Sequence, residues 1–422
     1  MSVLVERDHI GIFGRMNVGK SSVMNLLTQQ ETSIIDPTPG TTSDTKYALS
    51  EIHCVGPVKI YDTAGVDEPS LLGDKKRKKV FNDIKECDLA LIMINPAFIE
   101  FKSEEGLIKK ARELDKQILI IYNIFNDDDG KKIRECEQKN PVLRFCKKIT
   151  LKANDERYRK ELIDFIIANF KSKNQKHELF PFLEKDEYYV LIIPMDAETP
   201  PGRYLRPQAM SEEYITRNWA YPVSFRLDLG KARSEIKEER ESEEKRFNSF
   251  LNDFKKRPKA MITDSQAMDI MNRWCPGDIM LTTFSITMIN YISRGKLKEF
   301  IEGMNTLKNL KSGDRVLVVE ACNHSRIGED IGTVQIPNYF KKHFKGIALE
   351  HNFGREFQEN ENLKRYKLII HCGGCMISSQ KLLARIHELE AVGIPFTNYG
   401  LFLAYLQGRE ALNKVIKPWN LC

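Results

Sequence analysis

The sequence predicts an α/β fold divided into three domains, and three observations lead to this expectation. The chain has 422 residues, which exceeds what one hydrophobic core usually supports. Short apolar runs alternate with amphipathic stretches from Ile10 to about Phe170 and again from about Ile262 to Cys422. The polar stretch Lys171–His177 has the composition of a linker. We therefore place the domains at residues 1–174, 175–261 and 262–422.

Apolar runs predict the strands of these domains. In the first domain, four such runs with helical patterns between them indicate βαβ units and a mostly parallel sheet. Two strands are expected in the middle domain and three in the last, where a long helix follows Ser378. The predicted strands are His9–Phe13, Val58–Tyr61, Leu89–Ile94, Ile118–Tyr122, Tyr188–Pro194, Val223–Leu227, Arg315–Glu320, Lys345–Leu349 and Lys367–His371.

An apolar stripe at helical spacing lies near the end of the middle domain. Phe247, Phe250, Leu251 and Phe254 would share one face of a helix. Such a stripe more often packs inside its own domain, and a contact between subunits is the second interpretation.

Composition and charge narrow the class of protein. With 41% hydrophobic and 29% charged residues the chain is ordinary for a globular protein, and no stretch approaches the roughly 20 apolar residues of a membrane span. The charged start Met1–Asp8 leaves no room for a signal peptide, so we expect a cytoplasmic protein without a membrane partner. A net charge of +6 with interleaved signs does not indicate nucleic-acid binding. The basic run Lys75–Lys79 is interpreted as the solvated start of a helix rather than as an RNA-binding patch.

Residues Gly14–Ser21, with the sequence Gly-Arg-Met-Asn-Val-Gly-Lys-Ser, match the P-loop pattern between a predicted strand and a predicted helix. The glycines let backbone N–H groups curl around phosphate oxygens, Lys20 supplies positive charge to the terminal phosphates, and Ser21 can ligate Mg²⁺. Asp62 and Gly65, in Asp-Thr-Ala-Gly, follow another predicted strand. Asp62 can therefore hold Mg²⁺ through water, and the Gly65 amide can reach the γ-phosphate.

The segment Pro39–Asp44 lies between these two motifs, and its Thr41 and Thr42 could complete the metal shell. Together the motifs predict a switch-type nucleotide hydrolase in which Pro37–Lys46 and Ala64–Asp74 move. The predicted nucleotide-binding residues are Gly14, Asn17, Val18, Gly19, Lys20, Ser21, Ser22, Thr41, Thr42, Asp62, Gly65 and Asn123, with Ser21, Thr42 and Asp62 as the Mg²⁺ ligands.

These three motifs resemble those of the GTPases that include the tRNA-modification and ribosome-assembly enzymes. The resemblance implies GTP as substrate, with Lys20, Asn17 and Thr42 as catalytic residues, Asn17 helping to bind a K⁺ ion in place of an arginine finger. Since Val66 stands where a water-positioning residue would follow Gly65, we expect slow, K⁺-stimulated hydrolysis.

The guanine signature Asn-Lys-x-Asp of that class is degenerate here. Asn123 is present, but Ile124 replaces the lysine and Asn126 the aspartate, with Asp127 adjacent. The motif therefore does not decide whether the site selects guanine over other bases. The next motif of the class corresponds weakly to Lys152-Ala153-Asn154.

A second group of chemistry-bearing residues lies in the last domain. Cys322-Asn-His324 and His371-Cys372-Gly-Gly-Cys375 each follow a predicted strand, and parallel sheets gather their sites at the carboxyl ends of strands. Three thiolates and two imidazoles can then converge on a metal. The residues alone allow either a structural zinc ion or a four-iron cluster held by three thiolates.

This cysteine pattern, together with Ile262–Ser265, Leu281–Ser285 and Thr397–Gly400, resembles the scaffold GTPases of [FeFe]-hydrogenase maturation, the HydF family. The resemblance implies an N-terminal P-loop GTPase domain, a middle α/β dimerisation domain and a C-terminal α/β domain that binds a 4Fe-4S cluster. The implied cluster ligands are Cys322, Cys372 and Cys375, with His324 and His371 nearby or alternative and Glu329, or Asp330, as the nearest carboxylates for a fourth position.

The resemblance further implies a carrier function. The chain would receive a transient di-iron precursor from radical-SAM maturation enzymes, hold it beside the 4Fe-4S cluster and deliver it to apo-[FeFe]-hydrogenase, as a homodimer or higher homo-oligomer. The alternative is an RNA-directed GTPase of ribosome assembly or tRNA modification with a structural zinc domain. A measurement of the protein's iron content would distinguish the carrier from the RNA-directed GTPase.

Overall fold

The computed structural model describes residues 7–29, 46–65, 71–98, 101–172, 177–194, 204–321, 330–354, 360–374 and 377–421, with the backbone alone at 71–78, 127 and 360–361. The chain divides into two units, one formed by residues 5–176 and the other mainly by residues 177–422. Among the described residues, no helix combines the length and apolar composition that crossing a bilayer requires.

The first unit is built on a six-stranded sheet. Its strands are β1 (Asp8–Phe13), β2 (Lys46–Ile52), β3 (Gly56–Asp62), β4 (Leu89–Ile94), β5 (Gln117–Asn123) and β6 (Lys147–Leu151). They lie in the order β2-β3-β1-β4-β5-β6, and all pairs are parallel except the hairpin β2–β3. Every residue of β4 is buried, as the apolar run of a central parallel strand requires.

The helices of the first unit connect these strands. They are α1 (Lys20–Thr28), α2 (Leu71–Glu86), α3 (Lys102–Glu113), α4 (Ile133–Lys139) and α5 (Arg159–Asn169). The four predicted strands and the parallel sheet are confirmed, whereas β2 and β6 were not predicted. The basic run Lys75–Lys79 lies within α2.

The second unit contains two four-stranded sheets that share one hydrophobic core. The first sheet consists of β7 (Tyr188–Ile193), β8 (Tyr221–Arg226), β9 (Ala260–Thr263) and β10 (Met280–Thr283), all parallel in the order β10-β9-β7-β8. Its helices are α6 (Arg206–Arg217), α7 (Leu229–Arg233), α8 (Lys237–Asn252), α9 (Met268–Trp274) and α10 (Phe284–Ile292).

The domain boundary predicted after residue 261 falls inside β9 and would therefore divide this sheet between two domains. The second half of β9 and all of β10 come from the segment that the sequence assigned to the last domain. Each strand has only four residues, which is too short to show the alternation from which strands are predicted.

The second sheet of this unit is also parallel. Its strands are β11 (Arg315–Glu320), β12 (Ala348–Phe353), β13 (Leu368–His371) and β14 (Phe396–Asn398), in the order β12-β11-β13-β14. The helices are α11 (Leu297–Gly303), α12 (Ile336–His343), α13 (Asn360–Leu363), α14 (Ser379–Val392), α15 (Tyr399–Leu406) and α16 (Arg409–Ile416).

One strand prediction was shifted and one helix prediction is confirmed in this part of the chain. The strand predicted at Lys345–Leu349 begins only at Ala348, because Gly346 turns the chain with φ of +78° and its carbonyl accepts a hydrogen bond of 2.8 Å from the Gly313 amide. The helix expected after Ser378 is α14, and the Ser378 hydroxyl caps it by accepting from the Lys381 amide at 3.3 Å.

The apolar stripe lies on α8 except for Phe254, which follows the end of that helix at Asn252, and it packs inside its own unit. Phe247 and Leu251 are buried in the core, and the Phe247 ring lies 5.4 Å from the Phe225 ring and 5.7 Å from the Trp274 ring. Phe254 meets the Tyr188 ring at 5.4 Å. The first interpretation of the stripe therefore holds for these residues.

The burial of Phe247 predicts a large loss of stability when the ring is removed. Phe247→Ala should lower the free energy of unfolding of this unit by about 3–5 kcal/mol, because it leaves a cavity among aromatic rings. Ile236→Ala, at a side chain that is 55% exposed, is the control and should change it by less than about 0.5 kcal/mol. All three tryptophans lie in this unit, so tryptophan fluorescence during urea unfolding reports on it alone. An unchanged unfolding free energy with weakened self-association would instead place Phe247 in a subunit contact.

Candidate functional site

The P-loop runs from the carboxyl end of β1 into the start of α1, and its shape depends on left-handed backbone conformations. Gly14, Asn17 and Gly19 have φ of +150°, +57° and +97°. A Cβ atom on Gly19 would lie 2.3 Å from the Asn123 Nδ2, and one on Gly14 would lie 2.8 Å from the Met93 carbonyl oxygen. Both positions therefore require glycine for space as well as for conformation.

Lys20 is the first residue of α1, and its side chain is buried against the loop. Its Nζ donates hydrogen bonds to the carbonyl oxygen of Arg15 at 2.6 Å and to that of Gly14 at 3.3 Å. A buried ammonium needs such acceptors, and these hold its charge at the loop. The loop is also fastened to α3, because the Arg15 Nε donates to the buried Glu104 carboxylate at 2.9 Å.

Ser21 and Asp62 come together beside Lys20. The Ser21 hydroxyl donates to Asp62 Oδ2, and the buried Oδ1 has no hydrogen-bond partner among the described residues. Burial raises the pKa of the Asp62 carboxyl, whereas the Ser21 hydrogen bond and the charges of Lys20 and Lys46 oppose that shift. A hydroxyl beside a carboxylate with one unpaired oxygen fits Mg²⁺, which prefers oxygen ligands.

Gly65 follows this carboxylate and lies against the P-loop. A Cβ atom on Gly65 would be 2.7 Å from the Met16 backbone nitrogen, so only glycine allows this close approach. The end of β3 and the P-loop therefore form one continuous surface.

Asn123 ends β5 and joins three segments of the first unit. Its Nδ2 donates to the Val18 carbonyl oxygen at 2.9 Å, and its Oδ1 accepts from the Ala153 amide at 2.9 Å. The segment Lys152–Asn154 is thereby brought next to the P-loop. Both polar side-chain atoms of Asn123 thus form hydrogen bonds within the protein. In a nucleotide site, Asn123 would therefore position the backbone of Val18 and Ala153.

Asp129 shapes the degenerate base motif, and sequence reasoning missed it. Its Oδ2 accepts hydrogen bonds from the backbone amides of Phe125 at 3.1 Å and Asn126 at 3.0 Å. The signal that could have found it is the acidic residue three positions after Asn126, as in a helix cap.

Cys372 follows β13, and its sulfur is buried and surrounded by backbone donors. The side chain is 6% exposed, and Sγ accepts from the Ala321 amide at 3.3 Å and the Gly374 amide at 3.4 Å. Ala321 follows β11 and directly precedes Cys322 in the sequence. Two backbone N–H groups therefore point at the sulfur of Cys372, and cysteine sulfur is a metal ligand in proteins.

His371 is buried beside this sulfur, with both ring nitrogens hydrogen-bonded. Nδ1 lies 2.8 Å from the Cys372 carbonyl oxygen, and Nε2 lies 2.9 Å from Nη1 of Arg385. A carbonyl only accepts and a guanidinium only donates, so Nδ1 carries the proton and Nε2 accepts. Arg385 was not predicted, because its partner is distant in the sequence.

Several predicted site residues lie outside the described residues. They are Thr41, Thr42, Cys322, His324, Glu329 and Cys375, together with most of the switch segments. Asp330 is described, and its Oδ1 accepts from both the amide and the hydroxyl of Thr333 at 2.6 Å, as a turn cap does. Within the described ranges, no three His, Cys, Asp or Glu side chains gather as a metal site.

Family models match three parts of the chain. Residues 9–124 match the 50S ribosome-binding GTPase model. Residues 236–293 match the hydrogen maturase F dimerization domain, and residues 298–418 match the hydrogen maturase F tetramerization domain. The dimerization-domain match, like the sheet that contains β9 and β10, crosses the boundary predicted after residue 261.

Curated relatives match part of the chain. The chain is 33% identical over 148 residues to the tRNA modification GTPase MnmE of Shouchella clausii, which is 33% of this chain and 31% of that protein. It is 38% identical over 160 residues to MnmE of Prochlorococcus marinus, which is 37% of this chain and 33% of that protein. The chain thus spans about a third of the length of these relatives.

Among solved structures, the chain is similar to Era of Aquifex aeolicus, with 24% identity, a TM-score of 0.33 and coverage of 40% of this chain and 58% of that chain.

Residues 9–124 therefore form a GTPase domain of the P-loop class. Because the dimerization and tetramerization domains of hydrogen maturase F both follow that GTPase domain, the chain belongs to the hydrogen maturase F family.

Proposed function

We propose that this chain is a scaffold that holds a 4Fe-4S cluster through Cys322, Cys372 and Cys375 and carries a di-iron precursor to apo-[FeFe]-hydrogenase. The observation that carries the proposal is the hydrogen bond from the Ala321 amide to Cys372 Sγ. Ala321 immediately precedes Cys322 in the sequence, so this hydrogen bond links the residue before one proposed ligand to the sulfur of another, Cys372.

The surroundings of Cys372 fit such a cluster. Its sulfur is buried and accepts two backbone hydrogen bonds, and hydrogen bonds to cluster sulfurs are one of the means by which proteins tune these centres. Three thiolates leave one iron for an exchangeable ligand, for which His324 and Glu329 are the candidates. When bound, the cluster would supply that open iron position beside the di-iron cargo.

The nucleotide site would regulate the scaffold. Lys20 would contact the β- and γ-phosphates, while Ser21, Asp62 and Thr42 would hold Mg²⁺. The γ-phosphate would order Pro37–Lys46 and Ala64–Asp74, and cleavage would release them. We propose that this change controls the binding of apo-hydrogenase and of the radical-SAM enzymes that supply the precursor.

We further propose that Asn17 binds a K⁺ ion that stimulates this slow hydrolysis, and that the chain assembles as a homodimer or higher homo-oligomer through its two family-specific domains.

Iron and sulfide analysis after anaerobic reconstitution tests the scaffold proposal. About four iron and four sulfide per chain are expected, with the absorption of a 4Fe-4S cluster. A colourless protein with one zinc and no iron would support an RNA-directed GTPase with a structural zinc domain instead.

Cys372→Ala should prevent stable cluster binding, because two thiolates do not hold the cluster. Iron per chain should fall to background, while GTP hydrolysis stays at the wild-type rate. Cys275→Ala is the matched control, since Cys275 is also buried in the second unit but follows no ligand pattern. Full iron content in Cys372→Ala would remove this residue from the ligand set.

Lys20→Ala should lower GTP hydrolysis by at least about 100-fold, because the charge on the terminal phosphates is lost. Its reconstituted iron content should equal that of wild type. Lys131→Ala, at a side chain that is 81% exposed, is the control for loss of one positive charge in the first unit. Loss of the cluster in Lys20→Ala would contradict the independence of the two sites.

Asn126 predicts weak discrimination between guanine and hypoxanthine. A carboxylate at this position accepts from both N1–H and the 2-amino group of guanine, whereas an amide accepts only one of these hydrogen bonds. Asn126→Asp should therefore raise the preference for GTP over ITP by about tenfold in competition binding. Asp128→Asn, on an exposed side chain of the same loop, should leave the ratio unchanged. An unchanged ratio in Asn126→Asp would mean that Asn126 does not face the base.

A further inference from the structure

Arg385 connects two strand ends of the last sheet. It lies in α14 and is only 2% exposed. Its Nη1 donates to Nε2 of His371 at 2.9 Å, and its Nη2 donates to the Gly354 carbonyl oxygen at 3.3 Å. His371 ends β13, and Gly354 follows β12. These two strands flank β11, so the guanidinium joins the two neighbours of the strand that leads to Cys322.

The contact with His371 continues to the turn that carries Cys372. His371 Nδ1 donates to the Cys372 carbonyl oxygen at 2.8 Å. In the same turn, the Gly374 amide donates to Cys372 Sγ, and Gly374 has φ of +67°. A Cβ atom on Gly374 would lie 2.6 Å from Cδ1 of Ile292 in α10, so the turn is also confined from outside.

We infer that Arg385 is a positioning residue for the cluster site and acts through His371. It keeps Nε2 of His371 occupied, so the imidazole stays off the iron and instead fixes the Cys372 turn. The Cys372 sulfur is thereby directed toward the Ala321 amide before any metal binds. This inference rests on the proposed role of Cys372 as a cluster ligand.

The chemistry of the pair explains why arginine suits this position. Its planar guanidinium presents several donors in a fixed geometry, so one side chain satisfies an imidazole nitrogen and a carbonyl oxygen together. Outer partners that orient metal ligands typically change metal affinity by 10–100-fold when they are removed.

The first test uses the iron-free, full-length chain. Arg385→Met removes the donors and approximately retains the volume. We expect iodoacetamide to modify Cys372 of this variant about tenfold faster than Cys372 of wild type, because the turn loses its support. Peptide mass spectrometry measures the rate of modification. Arg365→Met is the control, since Arg365 precedes β13 and pairs with Glu350 at the surface. It should leave the rate unchanged.

The second test uses the reconstituted chain and measures iron loss to a chelator. Arg385→Met and His371→Phe should each accelerate the loss about tenfold, and the double variant should be no faster than either single variant. Arg385→Gln keeps donors without charge, so it should restore part of the retention and serves as the test variant if Arg385→Met does not fold.

Several results would overturn the inference. These are unchanged Cys372 modification in folded Arg385→Met, additive effects in the double variant, or a Gln variant as impaired as the Met variant. Failure of wild type to bind iron would refute the scaffold proposal instead, and the modification rates of the iron-free chain would still decide whether Arg385 positions Cys372.

Discussion

Parallel pairing of strands is the constraint on which both candidate sites depend. Parallel strands present their carboxyl ends at one edge of a sheet, so loops that are far apart in sequence meet there. In the first unit this edge gathers the P-loop after β1, Asp62 at the end of β3 and Asn123 at the end of β5. In the second unit, the corresponding edge brings the Ala321 amide to the Cys372 sulfur.

Buried polar groups at these edges are held by backbone atoms. The Lys20 ammonium donates to two loop carbonyls, Asn123 joins two backbone groups, and the Cys372 sulfur accepts from two amides. Leaving a buried polar group without a hydrogen-bond partner costs about 1–3 kcal/mol of folding free energy. These hydrogen bonds therefore allow the polar groups to be buried at the sheet edges. Because the partners belong to the backbone, the geometry of each site follows from the fold more than from neighbouring side chains.

The sequence was most informative where the physical signal is local. The P-loop and Asp62 could be predicted because a glycine pattern and a strand-ending aspartate are contained in a few residues, and the structure brings Ser21 and Asp62 into contact. The short strands β9 and β10 were missed, since four residues are too few to show a period. Arg385 was missed as well, because its contact joins helix α14 to a histidine at the end of β13, and the sequence does not show that the two meet.

The central claim is that Cys322, Cys372 and Cys375 bind one iron–sulfur cluster. An anaerobic crystal structure of the reconstituted chain, with anomalous diffraction measured at the iron edge, tests it most directly. We predict a compact iron peak bonded to the sulfurs of all three cysteines at the carboxyl edge of β11 and β13. The absence of iron there, or a Cys322 sulfur bonded to no centre shared with Cys372 and Cys375, would contradict the account.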